Sequence, residues 1–168
     1  MVSPTDRPAD RPLSVTLPDF LWFIHAALDD MVDILRELGD ELANRRPPLA
    51  GANSAYVIVT HCLGVMEYWG GATVAGRTIA RDRAAEFVAH GGVEELVARV
   101  TEAGRKLEDD LSGMVSADVP ANVHRSDDHA VPYTESKGAV LLHILEELFQ
   151  HLGQMELTRD VILAADGP

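Results

Sequence analysis

The sequence predicts an all-α protein, a four-helix bundle, and three observations carry that prediction. Four long segments repeat apolar residues at i, i+3, i+4 and i+7, which gathers them on one face of an α-helix. No stretch alternates with the period of two that a half-buried strand requires. Hydrophobic residues make up 46% of the 168 residues but aromatic ones only 5%, so Leu, Val, Ile and Ala must fill the core. Amphipathic helices in a chain of this length bury their apolar faces against one another, and that arrangement is a bundle.

The elements follow in order. Residues 1–15 read as a flexible tail, because Pro4, Pro8 and Pro12 interrupt any regular element. Residues 16–168 are expected to form one domain. Thr16 and Asp19 flank Pro18 in the pattern of a capping box with an early proline. Phe20, Ile24, Leu28, Met31, Leu35, Leu38 and Leu42 then mark a first helix ending near Asn44. Asn53 or Ser54 can cap a second, which carries Ile58, His61, Val65 and Trp69 and ends near the glycines around 70–76. "RTIARDRAAEFVAHGG" reads as a connection with one short helical turn. Val93, Leu96, Val100, Leu107, Leu111 and Met114 define a third helix over about 92–116, and a fourth runs from about 137 to 163. Between them lies "ADVPANVHRSDDHAVPYTES", far longer than the ~2–8 residues usual between bundle helices. It is expected to form a flap across one end of the bundle, with a merely wandering loop as the alternative; His124 and His129 on it have no partner at metal-ligand spacing, though either could reach a site.

Charge and cysteine content exclude several classes. Fourteen basic against 27 acidic residues give a formal charge of −13, which disfavours nucleic acid and anionic membrane surfaces as partners. A single cysteine, Cys62, excludes an internal disulfide and an all-cysteine zinc site. The N-terminus lacks the apolar segment of a signal peptide, and no apolar run approaches the ~20 residues of a membrane span. A cytoplasmic protein is the expectation.

The stretch "HILEELFQH" carries the chemistry. His143, Glu147 and His151 recur every four residues along a helix that Ile144, Leu145, Leu148, Phe149 and Leu152 make apolar. Glu146 is expected to face solvent. A buried carboxylate is unfavourable unless paired, and neutral imidazoles do not neutralise it, whereas a divalent cation does. Glu147 and His151 at i, i+4 project together, and His61 sits among apolar residues of the second helix. Two histidines and a carboxylate are a common catalytic zinc set with one position left open. A satisfied core histidine at 61 and a solvated Glu-x-x-x-His face are the alternatives. His25 and His90 have no partner at ligand spacing.

Taken together, "VTHCLGVMEYW", "RTIARDRAAEF" and "EELFQHLGQMELTRD" resemble the DinB/YfiT-like superfamily over most of the chain after residue 15. The likeness is closest to its mycothiol-dependent branch, which includes mycothiol S-transferases and the mycothiol-dependent maleylpyruvate isomerase. The resemblance implies a DinB-type bundle and a divalent metal held by His61, Glu147 and His151, with Gly153-Gln154 matching a Gly-Gln pair of the family. Many members have histidine where this chain has Glu147; the isomerase branch resembles it in having glutamate. On this reading His143 lies one turn too early for a primary ligand; it is expected, with Gln154, as an outer partner of the site, the alternative being that it replaces Glu147 if the helix is rotated.

On that resemblance the expected activity is that of a metal-dependent thiol S-transferase. Mycothiol, the co-substrate, is activated as a metal-bound thiolate and conjugated to an electrophile for detoxification. Zinc is the expected ion, with nickel, iron and manganese left open. The alternatives are an isomerase of the maleylpyruvate type, a metal-dependent hydrolase using bound water, and a non-enzymatic bundle whose apparent ligands are core polar residues or a vestigial site. Cys62, about 100° around the helix from His61, is expected to be a small buried residue and not the nucleophile. Trp69, Arg77, Arg81 and Arg83 are candidate substrate contacts, against the alternatives of core packing for Trp69 and solvated charge for the arginines. The partners are a small-molecule thiol and an electrophile, and a homodimer is left open.

Overall fold

The computed structural model describes residues 15–121 and 135–166. Among these residues the chain forms five α-helices and no strand: α1 (Leu17–Asn44), α2 (Ala55–Met66), α3 (Arg83–Glu86), α4 (Val93–Leu111) and α5 (Lys137–Asp166). A π-helical segment, Glu67–Val74, continues α2. The four long helices are the expected bundle, and α3 is the short turn expected in the connection. Most of the predicted tail and the flap centre with His124 and His129 lie outside the described residues.

The start signals act as the sequence predicts. Thr16 and Asp19 close a reciprocal capping box on α1, and Ser54 Oγ accepts from Val57 N at the start of α2. Ser136 Oγ accepts from Ala139 N on α5. The next free amides there, on Lys137 and Gly138, donate to the carbonyls of Asp118 and Ser116, which ties α5 to the exit of α4.

α1 ends at Asn44 as expected, but a kink inside it and the ends of α4 and α5 differ from expectation. α1 is kinked at Gly39, whose φ of 64° is left-handed. Beyond the kink, Asp40 Oδ1 accepts from Val93 N at 2.7 Å and Asn44 Nδ2 donates to Gly91 O at 2.8 Å. The bend therefore serves the start of α4, whose Gly92 N-cap has no side chain to do so. α4 stops at Leu111 rather than near 116, because Ser112 is extended and Gly113 turns left-handed at φ 72°. α5 runs on to Asp166 rather than ending at 163.

The core lies between the long helices. Ile24, Met31 and Leu35 of α1 meet Ile58 and Met66 of α2, Leu96 and Leu107 of α4, and Ile144, Leu148 and Met155 of α5, all fully buried. In the π segment Ala75 N donates to Gly70 O, five residues back, at 2.9 Å. A Cβ at Gly70 would overlap Leu107, so the glycine admits the close approach of α4. Phe149 does not join the core. It is 41% exposed and meets Phe23 edge-on, with Trp22 stacked edge-on against Phe23 in turn. Among the described residues, no helix is long and apolar enough to cross a membrane.

Candidate metal centre

α2 and α5 pack directly on each other and bring His61, Glu147 and His151 together, with one candidate ligand atom of each within 4.8 Å of the others. Glu147 Oε2 lies 3.3 Å from His151 Nε2 and 4.0 Å from His61 Nε2. Ligands at ~2.0–2.2 Å around a tetrahedral ion stand about 3.3–3.6 Å apart. One of these separations matches that spacing and the other exceeds it by a few tenths of an ångström, so the three donors are placed to close on a divalent ion. Both imidazoles turn Nε2 inward because Nδ1 is engaged elsewhere. His151 Nδ1 meets Gln154 Oε1 at 2.9 Å, and His61 Nδ1 meets Glu86 Oε2 at 2.7 Å.

His143, one turn before Glu147, approaches the other carboxylate oxygen, with Nε2 3.7 Å from Oε1. Its Nδ1 is 3.3 Å from Glu146 Oε2, and the Glu146 side chain is otherwise exposed, as expected. Trp69 packs edge-on against His143 with ring centroids 5.1 Å apart, and Phe87 lies against His61 at 5.1 Å. Two rings thus border the site, Trp69 from the π segment and Phe87 from the turn after α3.

The electrostatics follow from these contacts. The hydrogen bond to His151 holds the Glu147 carboxyl below the usual glutamate value against the opposing effect of burial, with help from His143. The same bond raises His151, again against burial. Burial lowers His61 despite the pull of Glu86, so the imidazole favours the neutral form that a metal requires. Glu86 moves down even though burial alone would raise it, because hydrogen bonds from Arg81 and then His61 outweigh desolvation. Arg81 neutralises the carboxylate, and so His61 does not have to become charged. Cys62 is fully buried, as expected, and burial, reinforced by the nearby Glu147, pushes its thiol far up.

The proposed substrate arginines have other occupations. Arg77 forks onto Asp110, Nε to Oδ1 and Nη2 to Oδ2, both at 2.8 Å. Arg81 forks onto Glu86, Nε to Oε1 at 2.6 Å and Nη2 to Oε2 at 2.9 Å, and its guanidinium lies over the Tyr68 ring. Arg83 is exposed and lies over Phe87, 5.0 Å from the ring centroid. Of the three, Arg83 alone meets no carboxylate among the described residues, and it sits beside a ring that walls the site.

Sequence reasoning missed Glu86. Asp82 Oδ1 caps α3 by accepting from Ala85 N at 3.0 Å, and this short turn delivers the Glu86 carboxylate to His61 across 25 residues of sequence. No helical period links the two positions. The available signal was the place of Glu86 in "RTIARDRAAEF", one of the segments that carry the family resemblance.

No curated protein matches the chain significantly. The model of the mycothiol-S-transferase family matches residues 19–164. That span takes in α2, the Glu86 turn and nearly all of α5. The chain therefore belongs to the mycothiol-S-transferase family.

Proposed function

We propose that this protein is a metal-dependent thiol S-transferase that joins mycothiol to small electrophiles in a cytoplasmic detoxification reaction, with zinc at His61, Glu147 and His151. The observation that carries the reading is the inward convergence of two Nε2 atoms and one carboxylate oxygen in a chain of this family. Bound there, a divalent ion stabilises thiolate over thiol, so that sulfur is nucleophilic near neutral pH.

The chain's own residues hold, orient and shield. Glu147 supplies the negative charge that draws a cation between the two imidazole rings. Gln154 and Glu86 keep those rings turned, and Phe87 and Trp69 narrow the approach and exclude water. In the reaction a carbon–sulfur bond forms to the electrophile. Either its leaving group departs with the bonding pair while the thiol proton goes to solvent, or, at an activated double bond, the proton ends on the neighbouring carbon. Cys62 takes no part, since its thiol is buried and held protonated.

Incubation with zinc, mycothiol and a panel of electrophiles, read by mass spectrometry, tests the assignment. Conjugates that require both metal and mycothiol are the expected result. Metal-dependent turnover without thiol would replace this reading with a hydrolase, and thiol-dependent rearrangement of an unsaturated acid without a conjugate would replace it with an isomerase.

A further inference from the structure

We propose that Glu86 is a positioning residue for His61: clamped by Arg81 and admitted by the missing side chain at Gly64, its carboxylate fixes the imidazole with hydrogen on Nδ1 and the Nε2 lone pair aimed at Glu147 and His151. The inference rests on the reading of those three residues as a metal centre.

Three observations converge. The His61–Glu86 contact is short, 2.7 Å, and its two side chains are only 8% and 9% exposed. An ionised carboxylate only accepts hydrogen bonds, so the hydrogen between them must sit on Nδ1. That leaves Nε2, the atom facing Glu147, with its lone pair free.

Secondly, the carboxylate cannot swing away. The Arg81 fork engages both of its oxygens, and planar forks of this kind fix direction as well as distance. Oε2 is shared between Arg81 and His61, so the guanidinium sets the line along which the imidazole is held.

The third observation lies on α2 itself. Gly64 follows His61 by three positions, on the same face of the helix. A Cβ built there would overlap Glu86 Oε1, stand 2.7 Å from Cδ and crowd Arg81 Nε at 3.2 Å. A glycine inside a helix is less favourable than alanine. Here it leaves the gap through which a residue of the α3 turn reaches His61. An outer carboxylate on a ligating histidine fixes ring and tautomer and raises the ligand's basicity.

The test uses the full chain stripped of metal, comparing the parent with Glu86→Gln and Gly64→Ala, and with Arg105→Ala as a surface control. Zinc affinity is measured by competition with a chromophoric chelator, and the His61 tautomer by nitrogen-15 correlation spectra of the apo protein. The parent should show His61 as the Nδ1–H tautomer. Glu86→Gln should weaken zinc by ~10–100-fold and mix the tautomers, because a carboxamide can also donate to Nδ1. Gly64→Ala should move both readouts the same way while retaining Glu86. If Glu86→Gln does not fold, Gly64→Ala carries the comparison, since it deletes no polar group. Zinc affinity within about twofold of the parent and an unchanged tautomer, with only thermal stability reduced, would make Glu86 a clasp for α3 and overturn the proposal. A parent that binds no zinc would remove the metal reading, and the apo tautomer would still decide whether Glu86 orients His61.

Discussion

His143 and His151 divide the Glu147 carboxylate between them: His143 Nε2 lies 3.7 Å from Oε1, and His151 Nε2 lies 3.3 Å from Oε2. The oxygen nearer His151 is also the one facing His61, 4.0 Å from its Nε2. The carboxylate thus presents one oxygen to the two candidate ligands and braces the other on His143. Glu147→Gln keeps the shape and removes the charge, so zinc affinity should fall sharply. His143→Ala leaves the inward oxygen in place and should cost ~10–100-fold, the range for an outer partner. Calorimetric zinc titration of both variants checks the order. If His143→Ala abolishes binding while Glu147→Gln does not, His143 is the primary ligand.

His61→Ala and His151→Ala should each lose most bound zinc, because a two-ligand site is weak. The bundle should remain helical, since both side chains border the site rather than the packed aliphatic core. Metal analysis after dialysis, alongside circular dichroism, separates loss of a ligand from loss of the fold.

Activity should disappear on chelation, return with zinc, and survive Cys62→Ser. The thiol is buried within α2 and burial raises its pKa, so it supplies no thiolate. Conjugate formation that resists chelator yet vanishes in Cys62→Ser would assign the nucleophile to Cys62 instead. A small thiol without the sugar-inositol body of mycothiol should turn over poorly, because remote contacts position the sulfur.

Arg77→Ala should act on stability and leave zinc affinity alone. Its fork onto Asp110 joins the residues after the π segment to α4, and Asp110 is 10% exposed whereas Arg77 is 37% exposed. With the guanidinium that open to solvent, screening reduces the expected loss to about 1 kcal/mol. Thermal melts read it. A raised KM for the electrophile at unchanged stability would restore Arg77 as a substrate contact.

Gly70→Ala should destabilise the protein by roughly 1–3 kcal/mol through overpacking, because the new methyl overlaps Leu107. Gly70→Ala should cost less in a Leu107→Ala background than in the parent if the overlap is its cause. A double-mutant cycle in denaturant measures the coupling.

What the sequence determined by itself was the existence of the long helices and the signals that start two of them. The apolar period of four segments, the Thr16–Asp19 capping box and Ser54 before α2 required only neighbours a few residues away. The same holds for Glu147 and His151, whose i, i+4 spacing on an apolar helix already implied a shared partner. His61 was legible as a polar residue where only apolar ones are stable, and the family resemblance joined it to the other two. The tertiary structure alone decided what depends on how elements meet. Glu86 has no periodic relation to His61, and it becomes a partner only because the α3 turn crosses a gap left by Gly64. Arg77 and Arg81 look like free cations in the sequence, but Asp110 and Glu86 face them once α4 and the α3 turn are packed. Phe149 reads as core by composition and lies half in solvent beside Phe23, because the packed face of α5 is centred on Ile144, Leu148 and Met155. Local periodicity fixes which side chains share a face, and only the packing of one element on another fixes what that face meets.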